Sequence, residues 1–277
     1  MANDLARNLI TAGVHFGHTV SRWNPKMKPY VYARRGMVHI INVRETLRGI
    51  ILAQKLLKDI VSGGRDVVFV GTKRQAQKAV KGAAETTGMH YVITRWLGGT
   101  LTNFRTIHSR IQRLDDLEAM SADGSIESES KKRASTLKRE LRKVKSNLEG
   151  VRKMNQIPGV IVVVDVKREL LALREAKKMG VPTIGIIDTD SDPDMVDIAI
   201  PGNDDSVKAI DIIIGELASA VAEGKTMYRA TGKTDDAHKP RLRRRSLARA
   251  GETAEAEIAP EVKAPAQAPA TGPSAQA

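Results

Sequence analysis

Basic side chains that alternate with aromatic rings mark residues 22–30 as suited to contact with nucleic acid. Positive charges bind phosphates, and rings stack on unpaired bases. The two prolines of the segment, Pro25 and Pro29, are expected to hold its backbone extended. The alternative is a loop in which the rings of Trp23 and Tyr30 fill the edge of the core, and both interpretations stay open. The side chains predicted to contact RNA are Arg22, Trp23, Lys26 and Lys28.

A second pair of cations follows the glycine that ends a predicted strand, residues 66–71. We predict that Thr72 opens a helix with Lys73 and Arg74 in its first turn, where backbone amides bind phosphate. The glycine-rich fingerprints of nucleotide-binding proteins are missing, so the signal for a nucleotide site is weak, and a phosphate of RNA can use the same amides. Arg95, which precedes a second glycine-rich turn, joins the predicted RNA-binding set.

Residues 105–154 show a different pattern, because their leucine, isoleucine and valine residues recur at steps of three and four. This spacing predicts two helices that pack along an apolar stripe, with the turn at Asp123 and Gly124. We expect an antiparallel coiled-coil hairpin that projects from the rest of the chain. Its outer faces are basic, which favours phosphate contact over a merely solvated surface. The side chains predicted to bind RNA here are Arg105, Arg110, Arg113, Lys132, Arg133, Arg139 and Arg142.

Two histidines and a run of aspartates are candidate metal ligands. His15 and His18 are three residues apart, but the nearby sequence offers no third ligand, so both are interpreted as structural histidines. A run of aspartates follows a predicted strand at Ile187, where a magnesium site is the alternative to simple turn formation. Turn formation is the preferred interpretation, because Asp-Pro and Asp-Ser pairs favour turns. The sequence therefore predicts no metal and no cofactor.

The core that carries these groups is predicted from residues 159–187. Residues 160–164 are consecutive and β-branched, which is typical of a strand buried on both faces of a parallel sheet. An amphipathic helix over 167–179 and a second apolar strand over 183–187 complete a right-handed strand-helix-strand unit. A short strand at 198–200 and a helix at 206–221 follow. The predicted fold class is α/β with a parallel sheet.

The first part of the chain is predicted to add smaller elements. A helix is expected over 4–12, a hairpin over 30–41 and a longer helix over 45–61. A further short strand is expected over 90–94. The longer helix is predicted to bury Leu47, Ile51, Leu52 and Leu56.

Composition limits the partners and the compartment. The chain has 277 residues, 41% of them hydrophobic, and a formal net charge of +13, which favours a polyanionic partner over a neutral one. It has no cysteine, which suits a reducing interior. We expect neither a signal peptide nor a membrane span, and we predict a cytoplasmic protein.

Changes in pattern along the chain predict four parts. Residues 1–104 and 155–228 form the two portions of an α/β domain, and residues 105–154 form the coiled-coil hairpin between them. Residues 229–277 contain a basic block at 239–245 and a segment rich in alanine and proline, and they are predicted to be disordered.

Seven segments between about Ala12 and about Gly224 carry a resemblance to a known family: Ala12–His18, Trp23–Pro29, Phe69–Arg74, Arg95–Gly99, Leu101–Asn103, Ser191–Asp194 and Ile200–Asp205. Together they resemble the bacterial small-subunit ribosomal protein S-two family. One departure is Phe104, which stands where many members of that family carry tryptophan.

The resemblance implies a flavodoxin-like, five-stranded parallel sheet with a coiled-coil hairpin inserted before the third parallel strand. It also implies a non-enzymatic protein that binds small-subunit rRNA and helps to dock ribosomal protein S-one, which captures mRNA. No membrane partner is implied. The competing hypothesis is a phosphate- or nucleotide-handling α/β enzyme, with Lys73 and Arg74 on the anion and Asp188 or Asp190 on a metal.

Overall fold

The computed structural model describes residues 2–128 and 130–230. The predicted tail, including the basic block at 239–245, lies outside these residues apart from its first two positions. The chain begins with α1 (Ala2–Thr11), β1 (Phe16–Thr19), β2 (Val31–Arg35), β3 (Val38–Ile41) and α2 (Val43–Ser62). Short 3-10 helices at Val20–Arg22 and Pro25–Tyr30 connect β1 to β2.

The three N-terminal strands form an antiparallel sheet in the order β1-β3-β2. The pairing of β2 with β3 confirms the predicted hairpin. The strand β1 is an addition that the sequence did not predict, and it turns out to position His18.

The middle of the chain supplies two strands and the helices that were predicted to form a hairpin. The bounds are β4 (Val67–Val70), α3 (Gln77–Thr87), β5 (His90–Val92), α4 (Phe104–Ala122), α5 (Ser125–Ser128) and α6 (Lys131–Leu148). The last part supplies β6 (Val160–Val164), α7 (Leu170–Met179), β7 (Thr183–Ile187), β8 (Ile198–Pro201) and α8 (Val207–Ala230).

The central sheet is parallel and has the strand order β5-β4-β6-β7-β8. Counted along these strands alone, the order is 2-1-3-4-5, which is one of the common orders of doubly wound sheets. Phe69 lies opposite Val162, and Val163 lies opposite Gly185. The predicted α/β class with a five-stranded parallel sheet is confirmed, and all five carboxyl ends lie along one edge.

Both faces of this sheet are covered, as the run of β-branched residues in β6 predicted. Val162 and Val164 pack in one core cluster with residues of α2, α3 and α8. Ile161 and Val163 point to the opposite face and pack with residues of α4 and α7. Every residue of β6 is buried, because alternate side chains enter the two different cores.

The helices α4 and α6 pack against one another through the apolar residues that the spacing singled out. Ile107, near the start of α4, belongs to the same core cluster as Leu148 at the end of α6. Leu117, near the end of α4, clusters with Leu137 of α6 and with Ile126. The end of the helix pair that contains Ile107 and Leu148 therefore packs on the sheet. The other end, which contains Leu117 and Leu137, has a small core of its own.

The predicted inward face of α2 is wrong in part. Ile51 and Leu52 are 60% and 51% exposed, whereas Gly49, Ile50 and Ala53 are buried. A Cβ atom added at Gly49 would lie 2.6 Å from the carbonyl oxygen of Ala199, so the helix meets β8 at this glycine. That close approach rotates α2 and turns the two larger side chains outward.

The helix after β6 begins three residues later than predicted. Asp165 has a positive φ of 66°, and the backbone N–H of Arg168 donates to its carboxylate over 3.1 Å. The turn uses the residues that were expected to form the first helical turn. Leu171, in the first turn of the shortened helix, is 48% exposed.

Candidate functional site

The outer surface of the helix pair carries exposed cations. The buried stripe of α4 consists of Ile107, Ile111, Leu114 and Leu117, so the residues between them face solvent. Arg113 is partly exposed, and its Nε lies 3.5 Å from the Glu140 carboxylate. The other predicted RNA-binding residues here are all exposed: Arg105, Arg110, Lys132, Arg133, Arg139 and Arg142.

Two acidic residues of α4, Asp115 and Glu118, are already paired. Glu118 accepts from Lys145 over 2.9 Å and from Arg152 over 2.7 Å, and Arg152 also pairs with Asp115. Hydrogen bonds from Lys145 and Arg152 lower the pKa of Glu118. Within residues 2–128 and 130–230, no carboxylate lies at ion-pairing distance from Arg105, Arg110 or Arg139. These arginines form an unneutralised basic surface.

The segment 22–30 is organised differently from the extended chain that its prolines predicted. Residues 25–30 form a 3-10 helix that includes Pro29, and Asn24 caps it by accepting from the backbone N–H of Lys26 over 3.1 Å. The extended conformation is therefore wrong for this part. The cap and Pro25 at the first helical position stabilise the turn.

The aromatic rings of this segment face the protein. Trp23 and Tyr30 are half-buried and pack against the core that contains fully buried Met27. The ring of Trp23 lies 5.2 Å from that of His39, and its Nε1 is buried with no hydrogen-bond partner among the residues that the structure describes. Both rings thus pack at the edge of the core, as the alternative interpretation held.

The cations of the segment differ in availability. Lys26 pairs with Asp192 over 2.8 Å and with Asp194 over 2.6 Å. Arg22 and Lys28 are exposed. Two of the three predicted cations therefore remain open to a phosphate.

Lys73 lies among carboxylates at the carboxyl edge of the sheet. Its Nζ is 2.7 Å from Asp204, 2.6 Å from Asp205 and 3.5 Å from Asp165, and its side chain is 12% exposed. Burial alone would lower the pKa of this ammonium, but hydrogen bonds to Asp204 and Asp205 outweigh burial and raise it. Lys73 offsets part of the negative charge at the sheet edge, whereas Arg74 and Arg95 are exposed.

The predicted helix at Thr72 is wrong, because α3 begins at Gln77 and residues 73–76 form a turn. The Thr72 hydroxyl donates to the carboxylate of Glu169 and accepts from Nε of Arg168 over 2.9 Å, so it does not cap a helix. Lys73 and Arg74 therefore lie outside the first helical turn, and the phosphate-binding helix end is not formed as predicted.

Buried Glu175 holds the glycine-rich turn that follows Arg95. Its carboxylate accepts from the backbone N–H groups of Gly99 over 2.7 Å and Leu101 over 3.0 Å, and from Nε1 of Trp96 over 3.2 Å. Glu175 was not among the residues predicted from sequence, since a glutamate on an amphipathic helix is usually exposed. The turn that it fixes leads directly into α4.

His18 enters the same carboxyl edge from β1. Its backbone N–H donates to the Thr189 hydroxyl over 2.9 Å and to Asp188 over 3.3 Å. This approach needs a glycine before it, because a Cβ atom at Gly17 would lie 2.5 Å from Cγ2 of Thr189. The sequence places His18 next to His15, whereas the fold places it beside aspartates that are distant in sequence.

Two aspartates beside His18 are almost fully buried. Burial raises the pKa of Asp188, and burial together with the charge of Asp165 raises the pKa of Asp204 to about 7. Among the residues that the structure describes, His18, Asp188 and Asp204 form a group whose ligand atoms lie within 4.8 Å of one another.

No helix within the described part of the chain is long and apolar enough to cross a membrane.

Comparison with known proteins identifies the family. The family model described as Ribosomal protein S2 matches residues 9–224. The small ribosomal subunit protein uS2 of Rhodopirellula baltica is 52% identical over 225 residues, which cover 81% of this chain and 86% of that relative. The resemblance inferred from the motifs is confirmed, and the enzyme hypothesis is set aside. The chain belongs to the ribosomal protein S2 family, and it is a structural, non-enzymatic protein of the ribosome.

Proposed function

We propose that this protein is a structural constituent of the small subunit of the cytoplasmic ribosome, where it binds small-subunit rRNA and helps to dock ribosomal protein S-one. The observation that carries the proposal is the basic surface of α4 and α6, where Arg105, Arg110 and Arg139 are exposed and have no carboxylate at ion-pairing distance in the described part of the chain. An unneutralised basic surface of this kind is matched by the phosphates of folded RNA.

In this proposal residues 105–154 form an antiparallel coiled-coil hairpin inserted into the α/β domain made by residues 1–104 and 155–228. The pairing of Ile107 with Leu148 and of Leu117 with Leu137 supports opposite helix directions. The hairpin presents arginine guanidinium groups from both helices to the RNA backbone. Recognition then depends on RNA shape, because phosphate contacts carry no base sequence.

The body of the protein contributes a second RNA contact through its exposed cations. Arg22, Lys28, Arg74 and Arg95 are the predicted residues that face solvent there. Lys26 and Lys73 contribute less directly, because each is engaged with two or more carboxylates. Trp23 supports the segment from the core edge.

Ribosomal protein S-one is proposed to dock on an apolar groove between α1, β2, β3 and α2. The groove has a volume of about 370 Å³, and its lining includes Ile10, Tyr32, Val43 and Leu47. Tyr32 is 77% exposed and Ile10 is 50% exposed, so large apolar groups stand uncovered at its rim. Contiguous exposed apolar surface is typical of protein contact sites rather than of RNA contact sites. Contact with mRNA is then indirect.

The RNA-binding part is tested with the triple variant Arg110→Gln, Arg139→Gln and Arg142→Gln. Small subunits depleted of this protein are mixed with the full-length variant, and the bound fraction is measured over a range of KCl concentrations. Each phosphate contact removed is expected to reduce the slope of log affinity against log salt by about 1. Natural affinity and natural slope in this variant would contradict the proposal.

The matched control changes three exposed lysines outside the hairpin, Lys55→Gln, Lys178→Gln and Lys208→Gln. It removes the same formal charge, and its salt slope is expected to equal that of the natural protein. Equal losses in the two triple variants would show that total charge, rather than the hairpin, governs binding.

The docking part is tested with Tyr32→Asp. Subunits that carry this variant are expected to retain at least tenfold less ribosomal protein S-one, because a carboxylate at the rim opposes apolar contact. The control is Val207→Asp, at a 53% exposed position on α8, where retention is expected to be unchanged. If subunits with Tyr32→Asp retain as much ribosomal protein S-one as natural subunits, the docking proposal is contradicted. The RNA-binding proposal is not affected by that result.

A further inference from the structure

The side chain of Arg168 is held at the surface by two buried residues. The carboxylate of Glu169, which is 3% exposed, accepts from the hydroxyl of Thr72. Because that hydroxyl gives its proton to Glu169, it can accept from Nε of Arg168, which it does over 2.9 Å. The guanidinium group is therefore fixed at one nitrogen. Its two Nη groups have no hydrogen-bond partner within residues 2–128 and 130–230, so they are available to a ligand.

Two further arginines lie on the loops beside this one. Arg74 follows β4 and Arg95 follows β5, and the carboxyl ends of β5, β4 and β6 are side by side in the sheet. Nε2 of Gln77 donates to the carbonyl group of Ile93 over 2.9 Å, which joins the loops after β4 and β5. The hydrogen bond of Arg168 joins the loops after β4 and β6. All three arginines are exposed.

The arginines of this edge carry positive charge that the protein leaves uncompensated. In the part of the chain that the structure describes, no carboxylate lies at ion-pairing distance from Arg74, Arg95 or Arg168. The neighbouring lysines differ, because Lys73 pairs with three aspartates and Lys167 pairs with one over 3.0 Å. Three exposed guanidinium groups without acidic partners favour an anionic ligand.

The position of Arg168 in the fold is also one where ligands bind. The chain passes from β4 to β5 on one side of the sheet, and β6 begins the other half, so the topology changes direction between β4 and β6. Open α/β sheets bind ligands in the crevice outside the carboxyl ends of the strands at this point. The hydrogen bond between Arg168 and Thr72 crosses that crevice.

We propose that Arg168, together with Arg74 and Arg95, binds a backbone phosphate of small-subunit rRNA at this crevice. The proposal rests on the RNA-binding function proposed above and adds Arg168, which was not predicted from the sequence. The two Nη groups of a guanidinium match two oxygens of one phosphate. Thr72 is a positioning residue, because it contacts Arg168 and not the phosphate. An arginine that is already held at Nε loses less side-chain freedom when it binds.

The contact is tested with full-length Arg168→Gln and small subunits depleted of this protein. Affinity is expected to fall about tenfold, and the slope of log affinity against log salt is expected to fall by about 1. The matched control is Arg174→Gln, at an exposed position on the same helix segment, and its affinity and slope are expected to be natural. Natural affinity and slope in a folded Arg168→Gln variant would overturn the proposal.

That outcome is separate from failure of the RNA-binding function itself. The hairpin variant Arg110→Gln, Arg139→Gln and Arg142→Gln tests the general function. If the hairpin variant loses affinity and Arg168→Gln does not, the RNA-binding function stands and the crevice contact is wrong.

The positioning role is tested with two substitutions at Thr72. Thr72→Val removes the hydroxyl but no charge, and it is expected to weaken binding about threefold because the guanidinium is no longer held. Thr72→Ser keeps the hydroxyl and is expected to restore natural affinity. In the Arg168→Gln background, Thr72→Val is expected to cause no further loss, since coupled residues are not additive. A loss that persists in that background would contradict the positioning role.

A free anion is the other source of the same chemistry. Calorimetric titration of the natural protein with millimolar inorganic phosphate is expected to show no saturable binding, because one phosphate without the rest of the RNA gains few contacts. Saturable phosphate binding that Arg168→Gln abolishes, together with unchanged binding of that variant to subunits, would assign the crevice to a free anion and overturn the assignment to rRNA.

Discussion

The sheet body and the helix pair of α4 and α6 place their charged residues in different ways. In the body, Lys73 is 12% exposed and lies among three carboxylates, and Glu175 is buried with its oxygens on backbone amides. In the helix pair, Arg110 and Arg139 are exposed and have no carboxylate at ion-pairing distance within residues 2–128 and 130–230. Buried charges hold segments of a fold together, whereas exposed unpaired charges are available to a partner. The comparison separates the structural charges of this protein from its binding charges.

The largest effect is expected at Lys73. Lys73→Met leaves Asp204 and its neighbours without their cation, and loss of one partner of a buried ion pair costs about 3–5 kcal/mol. Urea unfolding of the chelator-treated protein measures this loss. Arg139→Met on the helix pair is the control, and its free energy of unfolding is expected to stay within about 0.5 kcal/mol of the natural value. Similar losses at the two positions would break the comparison.

A smaller effect is expected at Glu175. Glu175→Leu leaves the amides of Gly99 and Leu101 without acceptors, which costs about 3 kcal/mol because unsatisfied buried donors are expensive. The exposed neighbour Arg174 serves as control, and Arg174→Leu is expected to leave thermal unfolding nearly unchanged. If Glu175→Leu unfolds like the natural protein, the carboxylate does not hold the turn that leads into α4.

The smallest effect is expected from pH, with opposite signs in the two regions. Burial raises the pKa of Glu169 in the body above its ordinary 4.5, so the stability tied to its protonated form is lost as pH rises through the folded value. Ion pairing lowers the pKa of Glu118 below 4.5, so its contribution is present above pH 4.5 and is lost as pH falls through the folded value.

Unfolding of Glu169→Gln and Glu118→Gln as a function of pH tests this contrast. Relative to the natural protein, Glu169→Gln is expected to gain stability as pH rises past 4.5. Glu118→Gln is expected to lose at most about 1 kcal/mol at neutral pH, because the pair is at the surface, and to match the natural protein in acid. The same sign in both variants would show that the two regions do not differ in this respect.

The parts of the fold that depend on short-range pattern were predicted correctly. The strand 183–187 matches β7, and the apolar positions Ile107, Ile111, Leu114 and Leu117 are all buried in α4. Apolar residues at every second position indicate a strand, and apolar residues at steps of three and four indicate a helix. Both patterns show which side chains are buried, and both can be recognised within a short stretch of sequence. The predictions were wrong where a contact between residues distant in sequence determines the local structure. The rotation of α2 depends on the backbone of β8, and the late start of α3 depends on Glu169, 97 residues away from Thr72.

The candidate sites also differ in whether they could be found from the sequence. The exposed arginines of α4 and α6 could be found from sequence, because a residue opposite an apolar stripe faces solvent wherever the helix packs. The buried group around His18 could not, since it joins residues 170 and 171 positions apart through backbone contacts. Glu175 was missed for a related reason, because its partners lie 74 to 79 positions earlier in the chain.

By itself the sequence determined the α/β class, the parallel core, the helix pair, the basic surface and the family, because each depends on residue types or on spacing within a few turns of chain. Only the tertiary structure decided which charges are buried and which are free. The parallel sheet places the carboxyl ends of β7 and β8 side by side, and β1 of the other sheet contacts them there, which encloses Lys73, Asp188 and Asp204. Whether a charged group is structural or available depends on its neighbours in space, and those neighbours are distant along the chain.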